Sequence, residues 1–365
     1  VIDMGVDFSL YRGAEFVRAA RAISARRATL CLGLFLLIAA CSNGSDNGLD
    51  SGATAETPDV TVASLNVLHG LSCQPDTADC RLADRQDLLF DWIESIDCPD
   101  VILLQEVTGA RVIAAVTERV ASRCGAAYQL LAPPSPIGQN YTLTRYPVLQ
   151  TNQVTLMGAI RILWHAQIDH PTGIVDVFNT HLAAGIDLQP CDASCPQECR
   201  DAGAANSREC QAVQVARLTL ERAASNSLRI LGGDFNAQPD SFVYRLLVEE
   251  NGWTDTYKAA GNPECDPATG IGCTSGRQDE DLSDMESSAS GVSRRIDYLF
   301  LQIPGDGSSS CHYQLDSHRD DDRDGLATRI FTDDPNPFAP SCGPLPDAIC
   351  WPSDHEGMQA DINCI

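Results

Sequence analysis

Hydrophobic and polar positions along this chain fall into short alternating runs separated by amphipathic stretches. Residues 60–68 read as a strand. Residues 81–96 read as a helix that gathers Leu88, Leu89, Trp92 and Ile96 on one face, and 100–105 as a buried strand. The helical period returns over 110–122. Further strands are expected at 127–132, 141–144, 160–169, 174–179, 228–232, 295–302 and 357–362, with a second long helix at 207–224. Strand-rich runs with helices dropped between them predict an α/β sandwich of two sheets in one domain. There is no internal repeat, and no Gly-x-Gly-x-x-Gly fingerprint.

The pattern ahead of that domain is different. Residues 1–27 carry five arginines, and 28–40 form an uncharged apolar run. As a helix it would span roughly 20 Å, short of the ~30 Å hydrocarbon core of a bilayer. It reads as the apolar core of a signal peptide covering residues 1–40. The run ends Leu37-Ile38-Ala39-Ala40-Cys41, which resembles the bacterial lipobox and implies that Cys41 is lipidated and becomes the new N-terminus. The alternative is an ordinary secretory signal with a chance cysteine. Residues 41–58 have the low apolar content of a flexible tether, leaving 59–365 as the folded domain. The expectation is an exported monomer, held to the periplasmic or surface face of the bacterial envelope by its lipid alone.

Charge and cysteine content sharpen this picture. Of 365 residues, 25 are basic and 50 acidic, a net charge of −25, and Lys258 is the one lysine. A broad basic face for nucleic acid is therefore disfavoured. Removing residues 1–40 takes away five arginines and three acids and makes the chain more acidic still. Sixteen cysteines suit an oxidising compartment, and fourteen remain once Cys31 and Cys41 are set aside. They cluster as Cys73 with Cys80, Cys98 with Cys124, Cys191 with Cys195, Cys199 and Cys210, Cys265 with Cys273, and Cys342 with Cys350, leaving Cys311 and Cys364. Disulfides are expected. The insert with Cys191, Cys195 and Cys199 could instead hold zinc, although it lacks a Cys-x2-Cys pair or a nearby histidine.

Four segments end apolar runs with hydrogen-bonding or ligand side chains: Ser64-Leu65-Asn66, Leu103-Leu104-Gln105-Glu106, Gly232-Gly233-Asp234-Phe235-Asn236 and Ser353-Asp354-His355. Strand ends can converge on one pocket at a sheet rim. Together with Thr144-Arg145-Tyr146-Pro147, Asn179-Thr180-His181-Leu182 and Arg295-Ile296-Asp297-Tyr298, their order and spacing resemble the endonuclease/exonuclease/phosphatase superfamily of metal-dependent phosphoesterases. The resemblance implies a DNase-like four-layer α/β sandwich, two packed, mainly antiparallel sheets flanked by helices. It also implies roles for residues. Glu106, with Asn66 and Asp354, would hold Mg²⁺ or Mn²⁺ through hard oxygen donors. Asp234 would orient and deprotonate the attacking water, and Asn236 would hold the same phosphate. His355, buttressed by Asp297, would meet the anion as imidazolium, and His181 would stabilise phosphate or act as an acid. Arg145 would be a phosphate contact, although Thr144 stands where the family has Ser. His69 could reach the pocket, while His165, His170, His312 and His318 read as structural.

Asp320-x-Asp322-x-Asp324-Gly325 is the opening half of a calcium loop, but Phe331 stands where its closing Glu would be. A structural Ca²⁺ and a solvated charge run are both open readings. The substrate would be a phosphate ester: DNA, a small phosphodiester or a lipid headgroup. The acidity works against tight duplex binding, and no exposed aromatic pair suggests membrane entry. The competing reading is a binding lipoprotein that keeps the fold without catalysis.

Overall fold

A computed structural model describes residues 59–68, 81–107, 110–125, 127–133, 139–158, 160–277, 284–287, 290–303, 326–330 and 349–363. In chain order the strands are β1 (Val60–Asn66), β2 (Val101–Gln105), β3 (Gln129–Leu131), β4 (Tyr141–Thr144), β5 (Val148–Thr155), β6 (Ile162–His170), β7 (Gly173–His181), β8 (Leu228–Asp234), β9 (Thr254–Asp255), β10 (Asp297–Gln302), β11 (Leu326–Ile330) and β12 (Met358–Ile362). They form two sheets, ordered β11-β12-β1-β2-β4-β3 and β5-β6-β7-β8-β10-β9. Only β1 with β2 and β7 with β8 run parallel among the described pairs. The helices are α1 (Leu82–Ser95), α2 (Ala110–Cys124), α3 (Gln197–Asp201) and α4 (Ser207–Arg222), with shorter helical turns after β8. No described helix is long and apolar enough to cross a membrane.

The period-two rule explains the layers. Val60, Val62, Val101 and Leu103 of the first sheet meet Val175, Val177, Leu228, Ile230, Leu299 and Leu301 of the second in a seam between the sheets. The alternate residues Ala63, Leu65, Ile102 and Leu104 face Phe90, Trp92, Ile93 and Val120 of α1 and α2. On the far side, Phe178, Leu231, Tyr298 and Phe300 pack on Ala212, Val215 and Ala216 of α4. This is the four-layer sandwich that the resemblance implied. α1 differs in detail from its sequence reading: Phe90 and Ile93 are fully buried, while Leu88 is partly buried against a separate cluster with Trp351.

Most elements lie within a few residues of their expected positions. β5 was not expected, because its sequence VLQTNQVT shows little apolar alternation; it is the edge of its sheet, and none of its residues is fully buried. Four described disulfides join Cys98 to Cys124, Cys191 to Cys195, Cys199 to Cys210 and Cys265 to Cys273, and Cys350 is also disulfide-bonded. The insert therefore follows the disulfide reading and not the zinc one. Cys41, His69, Cys73, Cys80, Cys311, His312, His318, Asp320, Asp322, Asp324, Cys342 and Cys364 lie outside the described residues.

One buried polar cluster sits at the start of β2. Asp100 accepts from the Thr61 amide at 2.8 Å and from Arg145 Nε at 2.9 Å, and the His170 ring is 3.8 Å away. Burial opposes its charge, but His170, Thr61 and Arg145 outweigh it and pull the carboxyl down to about 2. A depressed carboxylate stabilises the fold above its unfolded pKa and loses that contribution as pH falls through the folded one. Asp100→Asn is expected to cost about 2 kcal/mol at pH 7. In urea titrations the gap between wild type and variant should close between pH 4 and pH 2; a gap that does not change with pH contradicts the assignment.

Candidate active site

The same alternation that builds the seam delivers the polar residues. Continuing Val175 and Val177 by twos gives Asn179 and His181; continuing Leu228 and Ile230 gives Gly232 and Asp234; continuing Leu301 and Leu299 backwards gives Asp297. Register then levels them. His181 and Asp297 are both partners of Asp234 across the ladder, and Asn66 stands opposite Gln105. The two parallel strand pairs thus open on the same end of the sandwich.

Asp234 lies at the centre. Its Oδ2 accepts from Asn66 Nδ2 at 3.2 Å and lies 3.5 Å from His181 Nε2 and 3.8 Å from His355 Nε2. Its Oδ1 accepts from the Asn236 amide at 2.8 Å. The same Asn66 Nδ2 donates to Glu106 Oε1 at 3.0 Å. Asp297 Oδ2 is 2.9 Å from His355 Nδ1, and Asp354 Oδ2 is 3.8 Å from His355 Nε2. Ser353 Oγ donates to the Asn66 carbonyl at 2.6 Å, which ties the segment carrying Asp354 to the end of β1. The structure therefore brings together Asn66, Glu106, Asp234, Asn236, Asp297, Asp354, His181 and His355. The Asn236 side chain donates to the Leu182 carbonyl at 3.1 Å.

Arg145 is a correction. β4 runs antiparallel to β2 and sets Thr144 opposite Val101, so Arg145 lies level with Asp100, to which it is bound, at the far end of β2 from Glu106, about 20 Å away along the strand. His165 and His170 are buried and hold Asp176 Oδ1 at 2.7 Å and Thr172 Oγ1 at 2.8 Å.

Backbone conformation marks the site too. Glu106 and Asn236 have φ of 61° and 50°, a left-handed conformation that costs side-chain-bearing residues energy and clusters at functional sites. Gly233 has φ of 138°, and a Cβ there would fall 1.9 Å from the Thr180 carbonyl oxygen. Glycine is what lets β8 press against β7 so that Asp234 and His181 meet.

The electrostatics follow from burying so many acids together. Burial, then Asp297, then Glu106 push Asp234 up to about 7, against the pull of His355 and the Asn236 amide. Burial alone would lower His355, but Asp297, Asp354 and Asp234 raise it well above the ordinary histidine value. His181 goes the other way: burial, then Arg161 and His355, hold it well below, so its ring is neutral.

Sequence reasoning missed the groups that brace these residues. Arg85 of α1 is buried beneath the site and donates to the carbonyls of Val67 (2.9 Å), Pro352 (3.2 Å) and Leu68 (2.8 Å). It clamps the segment after Asn66 to the one before Asp354. Burial draws its pKa down to about 10 despite the nearby Asp354 and Glu106. Its signal was available, since Arg85 precedes Leu89, Trp92 and Ile93 at helical spacing and so lies on the buried stripe. Asn179 accepts from Gln105 Nε2 at 2.9 Å and donates to the carbonyls of Leu104 (3.2 Å) and Tyr141 (2.9 Å), joining the two sheets just below the acids.

The donor set fits a divalent cation. Asp234 and Asp297 are buried side by side with an excess of negative charge that a cation would offset, and the buried Asp297 Oδ1 has no hydrogen-bond partner. Glu106, Asn66 and Asp354 add hard oxygen donors beside them. A two-sheet sandwich with acids, amides and two imidazoles at its parallel strand ends defines a phosphoesterase class of site. Residues 63–355 match the Endonuclease/Exonuclease/phosphatase family, and the chain belongs to that family.

Solved structures share the fold. An endonuclease/exonuclease/phosphatase family protein from Leptotrichia buccalis is 17% identical, with 83% of this chain and 99% of that one covered at a TM-score of 0.51. Its counterpart from Bacteroides vulgatus is 18% identical, covering 84% and 99% at 0.51. D. rerio TDP2 complexed with a single strand DNA product is 18% identical, covering 82% and 97% at 0.50. No curated protein matches the chain.

Gly233→Ala is expected to lower unfolding free energy by about 3 kcal/mol, because backbone must move to admit the methyl group. Urea denaturation measures it, and an unchanged midpoint would contradict the close β7–β8 approach.

Proposed function

We propose that the chain is a divalent-metal-dependent hydrolase of phosphodiesters. The observation that carries this reading is the convergence of Asn66, Glu106, Asp234, Asp297 and Asp354 with two imidazoles, His181 and His355, whose surroundings push their pKa values in opposite directions. Glu106, Asn66 and Asp354 would hold Mg²⁺ or Mn²⁺, which when bound polarises the phosphoryl oxygen and neutralises the leaving group. The carboxyl of Asp234, near 7, can take a proton from water at neutral pH. The Asn236 amide fixes the orientation of that carboxyl. His355, kept charged by Asp297, meets the phosphate anion, and neutral His181 donates a hydrogen bond to it.

Among substrates, a single-stranded or small phosphodiester suits the acid excess better than duplex DNA, which demands many cationic contacts. The single strand DNA product held by the D. rerio protein agrees with this choice. The leader and lipobox support an exported enzyme tethered through Cys41, with the catalytic domain beginning near residue 59.

A panel of nitrophenyl mono- and diesters, single-stranded oligonucleotide and supercoiled DNA tests the reading. Turnover with Mg²⁺ or Mn²⁺ should vanish in EDTA, and His181→Ala and Asp234→Asn should each lower kcat by about a hundredfold or more. Metal-independent turnover, or full activity in either variant, contradicts it.

A further inference from the structure

The insert between β7 and α4 holds two disulfides, Cys191–Cys195 and Cys199–Cys210, that lie against each other. The Sγ atoms of Cys191, Cys195 and Cys210 fall within 4.8 Å of one another, and Cys199, outside that trio, is the far end of the second bridge. Burial differs along the set. Cys195, Cys199 and Cys210 are buried, whereas Cys191 is partly exposed at the edge of their cluster. Arg200 seats its guanidinium on the carbonyls of Ala193 (3.1 Å) and Cys195, against the short loop that the first bridge closes.

The second bridge is tied to the active site. Cys210 stands at the start of α4 between two residues that grip one residue's backbone: Arg208 Nε donates to the Ala183 carbonyl at 2.7 Å, and Gln211 Oε1 accepts from the Ala183 amide at 2.8 Å. Ser207 Oγ of the same turn donates to the Asp187 carbonyl at 2.9 Å. Ala183 is two residues from His181, and the Leu182 carbonyl between them accepts from Asn236. The Cys199–Cys210 bridge thus helps to seat the helical turn that fixes the backbone next to His181 and Asn236.

Disulfide exchange needs a thiolate, an accessible sulfur to attack, and a leaving thiolate that its surroundings stabilise. Cys191 is the accessible sulfur, Arg200 is the cation beside its loop, and Cys210 is the next sulfur near the thiolate released. We propose that the insert is a thiol–disulfide exchange site that takes a low-molecular-weight thiol at Cys191 and passes the exchange inward to α4. The incoming thiolate bonds to Cys191 Sγ as the Cys191–Cys195 bond breaks, leaving its electron pair on Cys195. Cys195 then bonds to Cys210 Sγ as the Cys199–Cys210 bond breaks, and Cys199 departs as a thiolate and takes a proton from water. Two sulfur–sulfur bonds are present before and after, so no oxidant or reductant is consumed. The first turn of α4 is then held from Cys195 in place of Cys199, which shifts its grip on Ala183.

Peptide mapping of Cys191→Ser tests the relay without any added thiol, because Cys195 starts there as the free thiol. Alkylation with N-ethylmaleimide after an acid quench and unfolding should place about half of the insert's label on Cys199; label confined to Cys195 overturns the relay. In wild type, a slight excess of glutathione should yield glutathionylated Cys191, a Cys195–Cys210 crosslink and a free Cys199. Unmodified Cys191, or glutathionylated Cys191 beside an intact Cys199–Cys210 bridge, contradicts the proposal, and this measurement stands if Cys191→Ser does not fold. Amide hydrogen exchange reads the link to α4: the Ala183 amide should exchange about tenfold faster in the glutathione-treated protein. Unchanged protection of that amide overturns the link. None of these measurements reads turnover, so their outcome is separate from the phosphodiesterase reading.

Discussion

The carboxylate of Asp234 is buried with Asp297 and Glu106 around it, and three side chains, Asn66, His181 and His355, stand 3.2–3.8 Å from its Oδ2. Burying several acids together is unfavourable unless cations or donors compensate. Much of the surrounding architecture supplies compensation. His355 takes up positive charge between Asp297, Asp354 and Asp234, the Asn236 amide caps one oxygen of Asp234, and Asn66 shares its amide hydrogens between Asp234 and Glu106. The charge left over is what a divalent cation would neutralise. Metal affinity and fold are in this sense two sides of one electrostatic arrangement.

That arrangement needs both sheets in register, and a few buried polar residues set it. Asn179 and Gln105 bridge the seam, Gly233 lets β7 and β8 close, and Arg85 gathers three carbonyls from the segments that follow Asn66 and precede Asp354. None of these groups needs to touch a substrate. Each converts the apolar packing of the sandwich into a fixed placement of the polar side chains at its open end, where catalysis depends on geometry.

Strand ends were legible in the sequence because period-two alternation carries straight from the apolar residues of the seam to Asn66, Asn179, His181 and Asp234. The gathered residues could be named because their order resembles one superfamily; periodicity alone does not say that four distant segments meet. Arg145 was misplaced because a motif position does not reveal which end of an antiparallel neighbour it occupies, and the β2–β4 register puts it beside Asp100. Arg85 escaped notice as a charged residue on an otherwise apolar stripe. The polar edge strand β5 lacks the alternation that would have announced it.

The central claim, that these acids converge to hold a divalent cation, is tested most directly by calorimetric titration of Mn²⁺ into the wild-type chain and Glu106→Gln. The account predicts a saturable site in the wild type whose affinity falls at least about tenfold in the variant. Absence of that site in the wild type, or an affinity that Glu106→Gln leaves unchanged, would contradict it.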